Sequence, residues 1–159
     1  MDVKFINPFL EGTVHVLKTM AMVEPKAGKP YLNTGMHAKG DVSGIIGLTG
    51  SASGSLALSF TEKCIFKIVS NMLGENHKEI NADVRDAVGE ITNMISGVAR
   101  KTLESQGYTI LAAIPTVVSG KNHSIVHVLG GPSVIIPFET KDGPFFVDVC
   151  MSDARREQG

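Results

Sequence analysis

The chain has no tryptophan, and aromatic residues make up only 6% of its 159 residues. A surface that stacks nucleobases needs more aromatic rings than this. Charge of one sign is also missing. The net charge is −1, with no basic run or stripe, which excludes nucleic acid as the expected partner. No apolar run approaches the roughly 18 residues needed to cross a bilayer. The opening Met1-Asp2-Val3-Lys4-Phe5 lacks a basic segment followed by a long apolar core, so no secretory signal is expected and the cytoplasm is the expected compartment. The two cysteines, Cys64 and Cys150, are far apart and in no CxxC pattern. They read as reduced thiols of a cytosolic protein. His123 and His127 stand four apart in a strand-like run with no third ligand in view, so they read as ordinary strand histidines. The glycines Gly44, Gly47 and Gly50 are not followed by the Gly-Lys-Ser/Thr of a phosphate loop.

What is there is a soluble-type composition, 43% hydrophobic and 19% charged, with length for one domain and a sizeable core. Residues 1–152 read as that domain and 153–159 as a flexible tail. Asn7-Pro8 opens a first helix, with Phe9, Leu10, Val14, Leu17 and Met20-Ala21 at helical spacing and Glu24-Pro25 closing it. Lys26 to Tyr31 reads as a loop. Asp41 to Leu48 and Ser55 to Phe60 form a hairpin around a Gly/Ser/Ala turn at Gly50 to Gly54. Leu56, Leu58 and Phe60 share one face of it, and Gly44 and Gly47 point to bulges or close backbone approach. Thr61 caps a second helix carrying Ile65, Ile68, Val69, Met72 and Leu73, stopped by Gly74. Asn81 caps a third, longer helix that runs to about Gln106, with Gly107 as terminator. Four β-rich runs follow: Thr109 to Val118, Ser124 to Leu129, Ser133 to Phe138 and Pro144 to Met151. Ser119 to Asn122 and Lys141 to Gly143 read as turns, and Pro137 puts its run at a sheet edge or bulge. The seven methionines read as core filling. The order predicts an α+β fold, an antiparallel-rich sheet with two long helices and one shorter helix packed on it.

The third helix carries the functional signal. At about 100° per residue, Glu90, Asn93 and Gly97 all fall within about 40° of Asp86. Ile80, Val84, Val88, Ile91, Ile95 and Val98 lie opposite. Asp86, Glu90 and Asn93 therefore centre the outward face. Most outward faces are merely solvated. Two details set this one apart. Asn is a poor interior helix residue, and three positions after a Glu it sets an amide beside a carboxylate. Gly97 costs up to about 1 kcal/mol relative to Ala and leaves a flat patch open to a partner. An amide donates and accepts at once, so it can orient a water without taking its proton. That suits attack on an acyl phosphate, where positioning and charge stabilisation do most of the catalysis.

The segment Asp86-Ala87-Val88-Gly89-Glu90-Ile91-Thr92-Asn93, with Pro115 downstream, resembles the signature of the chemotaxis phosphatases of the CheC, CheX and FliY group. The Asn-Pro-Phe-Leu-Glu helix, the Gly-rich hairpin and the length are most similar to the CheX branch. The resemblance spans nearly the whole chain. It implies hydrolysis of the aspartyl phosphate of a CheY-like response regulator. Asn93 would orient the water, and Glu90 would bind the regulator's active-site lysine. Asp86 matches a motif position that would serve in partner docking or in helix capping, and the flat patch at Gly97 reads as a partner-binding position. The resemblance implies that Mg2+ belongs to the regulator, so no metal or other cofactor is expected in this chain. It also implies a homodimer formed by continuing the sheet. A non-catalytic adaptor of the same fold is the alternative. CheC-type members carry two sites. Here the first helix reads Glu11-Gly12-Thr13-Val14, with valine where the second asparagine would stand, so a single site is expected.

Overall fold

A long antiparallel hairpin organises the molecule. In this computed structural model, which describes residues 3–33, 39–125 and 132–153, strands β3 (Lys39–Gly50) and β4 (Ala52–Phe60) pair from Val42↔Phe60 to Leu48↔Gly54. The link between them is tighter than the sequence suggests. Strand geometry continues through the glycines, and only Ser51 separates the two strands. Strand β8 (Gly143–Asp153) pairs along the whole of β4, and β7 (Val134–Thr140) pairs with β8. Two short strands, β1 (Lys26–Ala27) and β2 (Tyr31–Leu32), pair with β7 where a loop was expected. On the other side β5 (Ile110–Ala112) and β6 (Thr116–Ser124) share the outer edge of β3. The eight strands form one antiparallel sheet.

Three helices cover one face: α1 (Val3–Ala21), α2 (Glu62–Leu73) and α3 (Ala82–Ser105). Leu56, Leu58 and Phe60 are buried toward them, as their alternation predicts. The opposite face is closed at its centre too. Ser43 and Ser59 are buried and bonded to each other at 2.7 Å, and His123 Nε2 meets Ser43 Oγ at 2.6 Å. His123 Nδ1 bonds the Gly120 carbonyl at 2.7 Å, so this histidine pins β6 onto the hairpin. His127 lies outside the described residues.

Several boundaries differ from the sequence reading, each for an identifiable reason. Helix α1 begins by Val3 and carries Pro8 inside it rather than at its start. Pro8 leaves only the Lys4 carbonyl without its helical donor, and Phe5, one turn earlier, is part of the core. Helix α1 ends at Ala21, after which Met22 adopts φ 53° and the Val23 N–H returns to the Leu17 carbonyl at 3.1 Å. Thr61 occupies the N-cap of α2, but its hydroxyl donates to the Pro144 carbonyl. The Asp41 carboxylate, distant in sequence, accepts the Glu62 N–H at 2.9 Å instead. Leu73 is exposed rather than part of the α2 stripe. The run Thr109 to Val118 breaks between β5 and β6, where Pro115 sits, and residues 119–122 continue β6 instead of turning. Pro137 lies in β7 one strand in from the edge, opposite the gap between β1 and β2, where only its carbonyl is used, by the Gly28 N–H at 2.7 Å. Asp153 closes β8 and accepts the Tyr108 hydroxyl at 2.7 Å. Residues 154–159, and those of the Ser124 to Leu129 run beyond 125, lie outside the described residues.

Both cysteines are buried thiols. Burial pushes Cys64 up to about 12, with the Thr140 hydroxyl bond pulling weakly the other way.

Helix α3 comes close to the sheet at Gly44. A methyl group there would overlap Thr92 Oγ1 and crowd Val88 Cγ1 of α3. Thr92 cannot simply turn aside, because its hydroxyl donates to the Val88 carbonyl at 2.7 Å. Gly44→Ala is therefore expected to lower unfolding stability by about 1–3 kcal/mol, the usual range for overpacking. Denaturant unfolding of the two proteins measures this directly, and an unchanged midpoint would show that α3 can lift off without cost.

Candidate active site on the third helix

Helix α3 is held at its N-terminus by its cap and along its length by the sheet and α1. Asn81 Oδ1 accepts the Val84 N–H at 3.0 Å. At the far end Gly107 adopts φ 93°, and the Tyr108 N–H returns to the Leu103 carbonyl. The inward stripe is the expected one. Val84, Val88, Ile91 and Ile95 are buried, with Ile80 and Val98 partly so. Ala87, Thr92, Ser96, Ala99 and Leu103 widen it. Helix α1 crosses at Gly12, where an added methyl group would sit 3.3 Å from the Ile95 carbonyl oxygen. The helix is thus clamped on two sides.

Its third side is open. Asp86, Glu90 and Asn93 are all exposed. Among the described residues none of the three side chains has a hydrogen bond or ion pair to this chain. Glu90 and Asn93 stand three residues apart, so about 4.5 Å separates them along the axis and they face the same way. Asp86 lies one turn toward the N-terminus. An amide and a carboxylate without internal partners, on a backbone that packing holds still, can meet a second protein without first breaking bonds at home.

Gly97 continues the stripe one turn past Asn93 and is half-buried. Several other glycines have an internal reason: Gly44 and Gly12 admit a neighbouring element, and Gly89 sits beside Val117 Cγ2 of β6. At Gly97 an added methyl group would meet only the flexible end of Arg100, 3.9 Å away. Nothing in this chain's own packing requires glycine here.

In α1 the corresponding motif is incomplete. Glu11 is exposed, but Val14 is half-buried and packs against the core. One amide-carboxylate pair of this kind is therefore present on the long helices. Among the described residues no group of three or more His, Cys, Asp or Glu is placed to hold a metal ion, and no helix is long and apolar enough to cross a membrane.

Comparison with known proteins now bears on this geometry. The family model for chemotaxis phosphatase CheX matches residues 42–139. The CheY-P phosphatase CheX of Thermotoga maritima is 31% identical over 126 residues, covering 79% of this chain and 81% of that protein. The chain belongs to the CheX family of chemotaxis phosphatases. Its fold agrees. A CheC-like superfamily protein from Shewanella superposes with a TM-score of 0.91 at 47% identity, over 96% of this chain and 99% of that one. A chain of the CheX–CheY–BeF3–Mg2+ complex from Borrelia burgdorferi superposes with a TM-score of 0.79 at 28% identity, over 92% of this chain and 97% of that one. The CheX match spans the hairpin, α2, α3 and the strands up to β7, and so contains the whole outward stripe of α3.

The sequence pattern located that stripe but misjudged its neighbours. Of the methionines taken as core filling, Met20 is 46% and Met22 72% exposed. Leu10 and Val14 are only partly buried, while Gly12 and Thr13 are fully so, which rotates the buried face of α1 from its expected position. Met94, beside Asn93, is half-buried.

If Gly97 has no internal purpose, Gly97→Ala should make the protein more stable by up to about 1 kcal/mol, through helix propensity. Thermal unfolding would then shift upward by roughly 2–4 °C. A fall in stability would reveal an internal packing role that the geometry does not contain.

Proposed function

We propose that this chain hydrolyses the aspartyl phosphate of a CheY-like receiver domain, with Asn93 and Glu90 as the working pair. The observation that carries the reading is the exposed amide-carboxylate pair, without a partner among the described residues, on a helix clamped by the sheet and α1. Family membership supports the reaction, and the likeness to a CheX seen in complex with CheY supports the partner.

The chemistry asks little of the protein beyond position. Water attacks phosphorus, the P–O bond to the receiver's aspartate breaks, and the products are the free carboxylate and inorganic phosphate. The Asn93 amide bonds to the attacking water and aligns its lone pair, without serving as a base. In this reading the receiver's own groups, its Mg2+ among them, would meet the developing charge. Glu90 docks by pairing with a cation beside the phosphoryl group, the receiver's active-site lysine in this reading. Asp86 contributes a further docking contact, and the missing side chain at Gly97 lets the partner's surface come close. The setting is chemotaxis signalling in the cytoplasm, downstream of a two-component phosphotransfer.

Phosphate release from a phosphorylated receiver domain tests this. Wild type should accelerate release. Asn93→Ala should lose roughly 100-fold in maximal rate, as when one transition-state hydrogen-bonding group is removed, while still binding the receiver. Glu90→Gln should chiefly raise the receiver concentration needed for half-maximal rate. If wild type binds the receiver without speeding release, the chain is an adaptor and the catalytic reading fails.

We propose further that the chain forms a homodimer through sheet continuation. Among the described residues β6 pairs with β3 alone, leaving its outer edge open. Leu111, Ile114 and Val118 stand exposed along that side. An open strand edge with apolar neighbours is a template for pairing. Light scattering should give twice the chain mass, and proline at Val118, on that strand, should shift it toward the monomer.

A further inference from the structure

Beside Asn93, helices α1 and α3 leave a shallow groove of about 350 Å3. Its walls are Met20 and Val16 from α1 and Met94 and Val98 from α3, and Gly97 forms its floor. His15 and Lys101 stand at its rim, and no acidic side chain lines it. Met94 follows Asn93 directly and Gly97 is one turn beyond, so the groove continues the outward stripe without a gap. Met20 is 46% exposed near the end of α1 and so presents apolar surface to the groove. Methionine adapts its shape to a partner at little cost, which suits an apolar binding surface.

We infer that this groove is a second docking element of the same site, receiving an apolar side chain of the receiver domain, flanked by a carboxylate that meets Lys101. The inference rests on the reading of Glu90 and Asn93 given above. Three observations favour the receiver as occupant. The groove is continuous with the Glu90–Asn93 face, Lys101 at its rim can pair with a carboxylate of the partner, and Gly97 is a glycine that this chain's own packing among the described residues does not need. A partner seated on Asn93 would cover the floor at Gly97. Burying the two methionines there would strengthen docking and would discriminate among receivers by the side chain presented at that point.

The experiment is steady-state release of phosphate from a phosphorylated CheY-like receiver by wild type, Met20→Leu, Met20→Ser and Met20→Glu. Release by wild type tests the catalytic reading, and the contrast among the Met20 variants tests the groove. Met20→Glu should raise KM by about tenfold, equivalent to about 1.4 kcal/mol of binding, with kcat within a factor of about two. Met20→Ser should shift KM the same way by a smaller factor, and Met20→Leu should match wild type. Circular dichroism should show all three folded, since the side chain is partly in solvent. A KM unchanged across the series would overturn the inference while leaving the catalytic reading intact. So would an effect confined to kcat, or a change of oligomeric state without a change in KM, which would make the groove a contact between copies.

Discussion

Thr92 standing in the notch left by Gly44 is the contact on which the site depends. A helix cannot lie this close to a strand unless one partner lacks a side chain, and here the strand supplies the gap. Thr92 returns its hydroxyl to the Val88 carbonyl, so a polar group is buried without being orphaned. This fixes both the depth and the rotation of α3. With Thr92 turned fully inward, its neighbour Asn93 must turn out, and Glu90, three residues earlier, turns out beside it. The orientation of the proposed chemistry is thus set by a buried residue one position away from it.

The other contacts extend the same constraint. Gly12 lets α1 press against α3 on the flank. Asn81 ends the helix firmly at one side, and the Leu103–Tyr108 turn does so at the other. At the start of α1, Phe5 and Tyr108 meet edge to face with ring centres 5.4 Å apart. The Tyr108 hydroxyl and the Lys4 ammonium both reach Asp153 at the end of β8. The chain's first helix and last strand are thereby tied to the C-terminal end of α3. A reaction that relies on positioning gains from such a scaffold, because a partner finds the amide and carboxylate already in place and need not order them.

Much of this was legible in the residue order. The third helix, its Asn81 cap, its inward stripe and its outward Asp86, Glu90 and Asn93 follow from a period of 3.6 and a capping residue, which are local properties. The hairpin and the α+β arrangement followed from alternation and turn residues. Misreadings arose where distant groups decide. Thr61 looked like a side-chain cap, but Asp41 reaches in from β3 to do that work. Lys26 to Tyr31 looked like a loop, because two-residue strands have no pattern of their own and exist only by pairing with β7. Pro8 looked like a helix start, because nothing local shows that Phe5 one turn earlier is drawn into the core.

What the sequence determined by itself is therefore the identity and spacing of the chemical pair, since helical periodicity alone puts an amide next to a carboxylate on the side away from the apolar stripe. Only the tertiary structure decided that the pair is exposed and, among the described residues, has no internal partner. It also showed that Gly97 answers to nothing inside the molecule, and that Met20 joins Met94 in a groove beside it. The physical reason is range. Backbone geometry relates residues three or four apart, whereas exposure and the shape of a surface depend on which elements pack together, here α1 against α3 across a span of about 80 residues of sequence, as between Gly12 and Ile95.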